Sequence, residues 1–359
     1  MRAALLHNTG DQKLEVVDDM EVAPPGPGEV TIQVKATGVC HSDLSAMNGT
    51  IPQTAPFVPG HEGAGVISAL GEGVTDLAEG DHVIVAWSPP CGKCNSCVER
   101  KQPHLCVMIQ FAIAGSAKFS RNGEPVYGMA GTGTFAEYLT VPQEAAIKID
   151  DDVPFEIASL IGCGVTTGVG AAVNTAKVTA GSKVVVFGCG GVGISAIQGA
   201  HVSGAGIIVA VDLLAAKYEQ AKDFGATHGC TPDDLPALMA ELTGDGFDYA
   251  FEAIGVPAVM RQAYDSTRRG GTTCIIGVAG MDKEVAFNGF ELFFMEKTLM
   301  GSYYGSADVR SDFHRWLRLW KAGQLNLEGM ISRTMKIDEI NEAFDAMKNG
   351  EVIRTVITF

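Results

Sequence analysis

KVVVFGCGGVG, residues 183–193, decides the fold: an apolar strand runs directly into a glycine-rich turn that opens a helical segment. Gly188 allows the tight turn, Gly190 and Gly191 let backbone approach a pyrophosphate beside Val192, and Gly193 lets helix and strand pack closely. Phosphate would then sit on the helix N-terminus, where free N–H groups and the macrodipole favour negative charge. Context strengthens the motif. The next strand, IIVAV at 207–211, ends on Asp212, nineteen positions after Gly193. A carboxylate there accepts the ribose hydroxyls of NAD and repels the extra phosphate of NADP, so NAD is the predicted cofactor.

Outward from this turn, apolar runs alternate with helical segments: KVVVF, a helix over 191–204, IIVAV, a helix over 215–224, then DYAFE, TTCIIGV and TLMGSYY. Continuous apolar strands separated by helices predict a parallel sheet covered on both faces, a doubly wound unit. Residues 1 to about 160 read differently, as short alternating strands broken by Gly and Pro. Val30, Ile32, Val34 and Ala36 alternate, as do parts of 82–87 and 133–141. The fold class is therefore α/β with a β-rich second domain. After Gly305, the spacing of Val309, Phe313, Trp316, Leu317 and Trp320 predicts a helix packed on the core, without chemistry of its own.

The chain has 359 residues, 46% hydrophobic and 19% charged, enough for two cores without staples. A net charge of −16 argues against nucleic acid or an anionic membrane as partner, since both are bound through Lys and Arg. Its apolar stretches are broken short of a membrane span and MRAALLHNTG does not read as a leader, so a cytoplasmic location is expected. The nine cysteines are too sparse for a disulfide scaffold, and their clustering points to thiolates that hold metal.

Cys91, Cys94, Cys97 and Cys106 form C-x2-C-x2-C-x8-C, which can place four thiolates around one tetrahedral zinc and leaves no open position, as in a structural site. A second set is dispersed: Cys40 in VCHSD, His61 in PGHEG and Cys163 in GCGVTTG. Two thiolates and an imidazole would leave a fourth position for water or substrate, as a catalytic zinc requires. By spacing alone these three read more simply as buried cysteines and a structural histidine. Cys189, Cys230 and Cys274 read as buried small hydrophobes.

With these motifs in order (GHE, the four-cysteine loop, GCG, then GCGGVG), the chain resembles a zinc-dependent alcohol dehydrogenase of the medium-chain dehydrogenase/reductase superfamily, from its first strand to IRTVITF at the C-terminus. The resemblance implies a GroES-like catalytic domain, 1–162 and 304–359, with a Rossmann coenzyme domain, 163–303, inserted in it and the active site in the cleft. It implies NAD and two zinc ions per chain: Cys40, His61 and Cys163 at the catalytic zinc, and the cysteine loop at the structural one. Asp43 would orient His61, Glu62 would stand behind the zinc, and Ser42 would hydrogen-bond the substrate oxygen. His41 and Arg354 would contact the pyrophosphate, supplying local positive charge. Thr167, Val192 and Val278 would line the nicotinamide pocket, Lys217 would reach the adenosine ribose, and Ile254 and Gly277 would also bind cofactor. Substrate-pocket positions fall on Ile51, Trp87, Met129, Ala130 and Tyr303, which makes a small apolar alcohol or aldehyde the expected substrate. A homodimer or homotetramer is implied, joined by edge pairing around 299–304.

Three departures qualify the match. Ser45 stands where the family often has a proton-relaying histidine, which implies weaker support for deprotonation at low pH. The spacing before Cys106 is one residue longer than usual, which a loop absorbs easily. Members that oxidise glutathione-bound formaldehyde carry an acidic residue and an arginine where this chain has Ile51 and Gln110. The expected activity is thus reversible hydride transfer between a primary alcohol, aliphatic or aromatic, and NAD. The alternatives are the same fold acting on a polyol or thiol-conjugated aldehyde, and a non-catalytic zinc-stabilised NAD-binding module.

Overall fold

A computed structural model describes the backbone of residues 1–359 and all side chains except those of Phe111 and Ile113. It divides into two compact units: the first comprises 1–164, 308–318 and 327–359, the second 165–307 and 319–326. Against the expected cuts at 162/163 and 303/304, two short pieces fall in the second unit. Gly305 packs so closely on Gly170 that a side chain there would strike backbone, and Asn326 N donates to Gln198 Oε1 at 2.6 Å.

The first unit is built on a seven-stranded sheet whose central strand, Glu29–Gly38, carries the alternation seen in the sequence. It pairs antiparallel with Glu62–Leu70, Tyr138–Pro142 and the C-terminal strand Arg354–Thr358. Val30, Ile32 and Val34 are buried and join Met47, Phe57, Phe135 and Phe344 in one core. The helix Val309–Lys321 buries Val309, Phe313, Trp316 and Leu317, as the stripe predicts.

The second unit holds six parallel strands in the order His228–Cys230, Ile207–Val211, Lys183–Phe187, Phe247–Glu252, Thr267–Ile275 and Thr298–Gly301. This is the doubly wound arrangement, with its switch point between Lys183–Phe187 and Phe247–Glu252, where ligands bind at the strands' C-terminal ends. Gly188 makes the turn there with φ +91°, in the left-handed region that L side chains rarely adopt. A side chain at Gly193 would run into the Gly188 carbonyl, so the following helix, Gly191–Val202, can lie against the turn only with glycine at that position.

One expectation is corrected. Residues 155–175 form a helical run of 21 residues with hydropathy 1.4, long and apolar enough to cross a membrane by length and composition alone. Its most apolar window is 83% buried inside the protein, the condition of a core helix. Gly162, Gly164, Gly168 and Gly170 break its apolar pattern in the sequence, and in the structure π turns occupy Ile161–Val165 and Ala171–Thr175.

Replacing the fully buried Trp316 by alanine is expected to lower the stability of the first unit by about 3–5 kcal/mol, read as a fall in its denaturant midpoint.

Candidate functional site

The first unit assembles one polar cluster from three distant parts of the chain. Cys40 caps the helix His41–Met47, and Asp43, at the third helical position, accepts the Cys40 N–H through Oδ2 at 2.9 Å. The other carboxylate oxygen accepts from Gly60 N at 3.1 Å and from His61 Nδ1 at 2.8 Å. Asp43 is fully buried, so this one carboxylate locks the helix start, the turn before His61 and the imidazole together. With Nδ1 engaged, His61 Nε2 is left buried without a hydrogen-bond partner. An imidazole nitrogen left so beside two thiols is one that a bound metal would satisfy.

That ligand position is shared. Donor atoms of Cys40, His61, Glu62 and Cys163 all lie within 4.8 Å of one another, and all four residues are buried. Cys163 comes from the π turn, a form of helix frequent at functional sites. The hydrogen bond between the two thiols draws Cys40 well below the usual thiol range and drives Cys163 above it, so the pair holds a proton that a cation would displace. The donor set therefore fits zinc, with His61 Nε2 and two sulfurs as ligands.

Behind these donors lies Arg354. Its guanidinium is buried, with Nη2 3.4 Å from Glu62 Oε1 and Nη1 3.4 Å from the Val39 carbonyl. Glu62 Oε1 also accepts from Gly164 N at 3.1 Å. Burial pushes the Glu62 carboxyl up to about 7 against the pull of the Arg354 charge. Sequence reasoning missed this pairing. Its one signal was an arginine opening a terminal strand whose other residues are uncharged.

The expected substrate positions on this unit lie near the cluster's supports. The Trp87 ring stands edge-on to His61, 6.3 Å between centroids. Met129 and Ala130 belong to a turn that Thr132 Oγ1 ties to the Gly60 carbonyl at 3.2 Å. Ile51 N donates to Ser45 O at 2.9 Å, at the end of the helix that carries Ser42 and the exposed His41.

The cysteine loop is the second donor group found among the described residues. Cys94 Sγ lies 3.6 Å from Cys97 Sγ and 3.7 Å from Cys106 Sγ. A tetrahedron with Zn–S distances of about 2.3 Å has edges of about 3.8 Å, so these sulfurs already stand at zinc spacing. The longer interval before Cys106 is taken up by the turn Pro103–Leu105, and Cys106 Sγ accepts from Cys91 N at 3.3 Å. Against burial, which raises it, the backbone N–H groups of Lys93 and Cys94 bring Cys91 down to about 7, while burial pushes Cys97 up to about 12.

In the second unit, the glycine turn and Asp212 are joined directly. Asp212 accepts from Cys189 N at 2.9 Å and from Leu214 N at 3.0 Å, which fixes its carboxylate at the strand end beside the turn. Lys217 lies on the short helix that follows, Ala215–Gln220. Gly168 packs directly on Val192 and Ser195, bringing Thr167 next to the glycine helix. Ile254 lies over Gly188, Gly255 packs on the Val278 backbone, and Gly277 on Gly255. Tyr303 follows the edge strand and is partly exposed. Cys189, Cys230 and Cys274 are buried.

Comparison with known proteins agrees with this geometry. Residues 26–151 match the alcohol dehydrogenase GroES-like domain and residues 191–322 the zinc-binding dehydrogenase family. The chain is 41% identical to an S-(hydroxymethyl)glutathione dehydrogenase of Escherichia coli, over 100% of this chain and 99% of that one. It is equally similar to a protein of the same name from Photobacterium damsela, with the same coverage. Among solved structures, benzyl alcohol dehydrogenase from Acinetobacter calcoaceticus superposes with a TM-score of 0.92 at 32% identity, covering 100% and 99% of the two chains. An alcohol dehydrogenase zinc-binding domain protein from Burkholderia ambifaria gives 0.93 at 30% identity, covering 100% and 98%.

Asp43→Asn keeps the side chain's shape but weakens its hold on His61. The zinc bound by Cys40, His61 and Cys163 is expected to loosen by roughly 10–100-fold while the cysteine loop keeps its own. Zinc counting after dialysis against a chelator should then fall from two ions towards one per chain.

Proposed function

Because the chain belongs to the zinc-dependent alcohol dehydrogenases of the medium-chain dehydrogenase/reductase superfamily, and so works with zinc and a nicotinamide cofactor, we propose that it interconverts small apolar primary alcohols and their aldehydes using NAD. The observation that carries this reading is the buried Cys40–His61–Cys163 set, locked by Asp43 and flanked by the Trp87 ring. When bound, zinc supplies Lewis-acid polarisation of the substrate oxygen and NAD accepts the hydride. Cys40, His61 and Cys163 would hold the metal, and Asp43, bonded to Nδ1, would keep His61 in the tautomer that leaves Nε2 as the ligand atom. Ser42, two residues after Cys40 on the same helix turn, accepts the alcohol proton, with Ser45 and water carrying it outward. Glu62 and Arg354 stand behind the ligands, and His41, exposed at the helix start, would meet the pyrophosphate together with Arg354.

Asp212 supports NAD over NADP, since its carboxylate is held at the strand end by two backbone N–H groups and cannot swing away from an added phosphate. Ile51, Trp87, Met129, Ala130 and Tyr303 favour an apolar substrate. A second reading has a specific observation behind it. The curated relatives cited above carry the name of a glutathione-adduct dehydrogenase. Ile51 and Gln110, without charge, weigh against it: a glutathione conjugate brings carboxylates that would have no partner at those positions.

The deciding assay follows NADH at 340 nm with benzyl alcohol and, separately, with formaldehyde plus glutathione. We expect kcat/KM to favour benzyl alcohol and to be higher with NAD than with NADP. A higher kcat/KM for the glutathione adduct would transfer the assignment to the second reading, and a preference for NADP would remove the role given to Asp212.

Assembly through the second unit is part of the same reading. Thr298–Gly301 is the edge strand of its sheet, and the preceding helix, Gly289–Met295, leaves Phe290 71% and Phe293 79% exposed. An open edge beside exposed aromatics is a surface that proteins cover. Sedimentation should give a dimer or tetramer, and a monomer at micromolar concentration would contradict this.

A further inference from the structure

Glu252 ends the strand Phe247–Glu252 and is completely buried, yet no cation pairs with it among the described residues. A buried carboxylate without a countercharge is costly and persists only where hydrogen-bond donors hold it. Here the donors are backbone. Oε1 accepts from Ile254 N at 3.0 Å and from Gly255 N at 2.7 Å, while the main-chain carbonyl of Glu252 accepts from Ile276 N at 2.8 Å and Gly277 N at 3.0 Å. Oε2 faces Gly277 so closely that a Cβ there would lie 2.6 Å from it. One residue thus gathers the turn after its own strand and the segment after the neighbouring strand, Thr267–Ile275.

What those two segments present is unusual. Ile254 is 49% and Val278 56% exposed, although the strands they follow bury Phe251, Glu252 and Cys274 completely. Ile254 lies directly over Gly188 of the glycine turn. Exposed apolar side chains at the C-terminal ends of parallel strands, next to the switch point, are placed where a dinucleotide's rings lie.

We propose that Glu252 is a positioning residue for the nicotinamide dinucleotide: its carboxylate holds the turn at Ile254 and Gly255, which packs on Gly277 and the Val278 backbone, and so keeps Ile254 and Val278 raised as an apolar platform beside the glycine turn. The carboxylate itself does not touch the cofactor. Without it, the Ile254 and Gly255 N–H groups lose their buried acceptor, the turn opens towards water, and the platform loses its fixed height.

The test uses the full-length enzyme with zinc bound. Glu252→Met keeps the length and removes the acceptor. The dissociation constant for NADH, read by the quenching of protein fluorescence, and the KM for NAD should both rise roughly tenfold or more. The KM for alcohol and kcat at saturating NAD should stay within about twofold, a split that general loosening of the fold would not give. Glu252→Gln, which retains one acceptor oxygen, should recover most of the affinity. If Glu252→Met does not fold, Glu252→Asp serves in its place, since the shorter side chain withdraws the carboxylate from the Ile254 and Gly255 N–H groups; the same weakening of NADH is expected. NADH binding within twofold of the wild type in either folded variant would overturn the proposal, as would a loss of affinity in Glu252→Met that Glu252→Gln does not reduce.

Discussion

The arrangement of the first unit's polar cluster depends on a single buried carboxylate. Asp43 accepts from Cys40 N, Gly60 N and His61 Nδ1, and those three partners belong to a helix start, a turn and the opening of a sheet strand. A carboxylate satisfied by three donors in a low-dielectric interior is a strong and directional constraint. It fixes the imidazole, exposes Nε2 to the two thiols, and sets the first turn of the helix from which Ser42 projects. The Glu62–Arg354 pair extends the same logic outward. Two opposite charges buried together stand behind the donors, and the guanidinium closes the cluster from the C-terminal strand.

The second unit solves its positioning problem with backbone rather than with a buried side-chain cluster. Gly188 and Gly193 allow the strand, turn and helix to lie in contact, and Asp212 is held by the turn's own N–H. Glu252 does for the neighbouring strand ends what Asp212 does beside the glycine turn. In both cases a carboxylate at a strand's C-terminal end gathers free backbone donors. In both units acidic side chains serve as internal anchors, which accounts for part of the negative charge without calling on any external partner.

How much of this was legible in the sequence depends on how local each feature is. The parallel sheet was readable because KVVVF and IIVAV are nearly continuous apolar runs that alternate with helical segments, as strands buried on both faces do. The cysteine loop was readable because its four sulfurs come from one short segment. Cys40, His61 and Cys163 were not readable from spacing, since only tertiary structure brings them together; the family resemblance supplied that set. The Arg354–Glu62 pairing and the burial of Glu252 escaped for a related reason. A charged residue at the end of a strand reads as a solvent-facing terminus, and only the fold reveals that a partner or a set of N–H groups waits for it inside. The long helical run through Cys163 was hidden by its own glycines, which the sequence presents as breaks and the structure uses for close packing.

Two different donor sets, one of two cysteines with a histidine and one of four cysteines, are each built to hold a zinc ion. Zinc X-ray absorption on the metal-loaded protein tests this directly. Two zinc ions per chain sharing six thiolates and one imidazole are expected, with sulfur distances of about 2.3 Å and a nitrogen contribution at about 2.0–2.1 Å. A single zinc ion surrounded by four sulfurs and no imidazole would contradict it: His61 and its thiol neighbours would then be a structural cluster, and the Asp43 constraint would serve packing rather than metal.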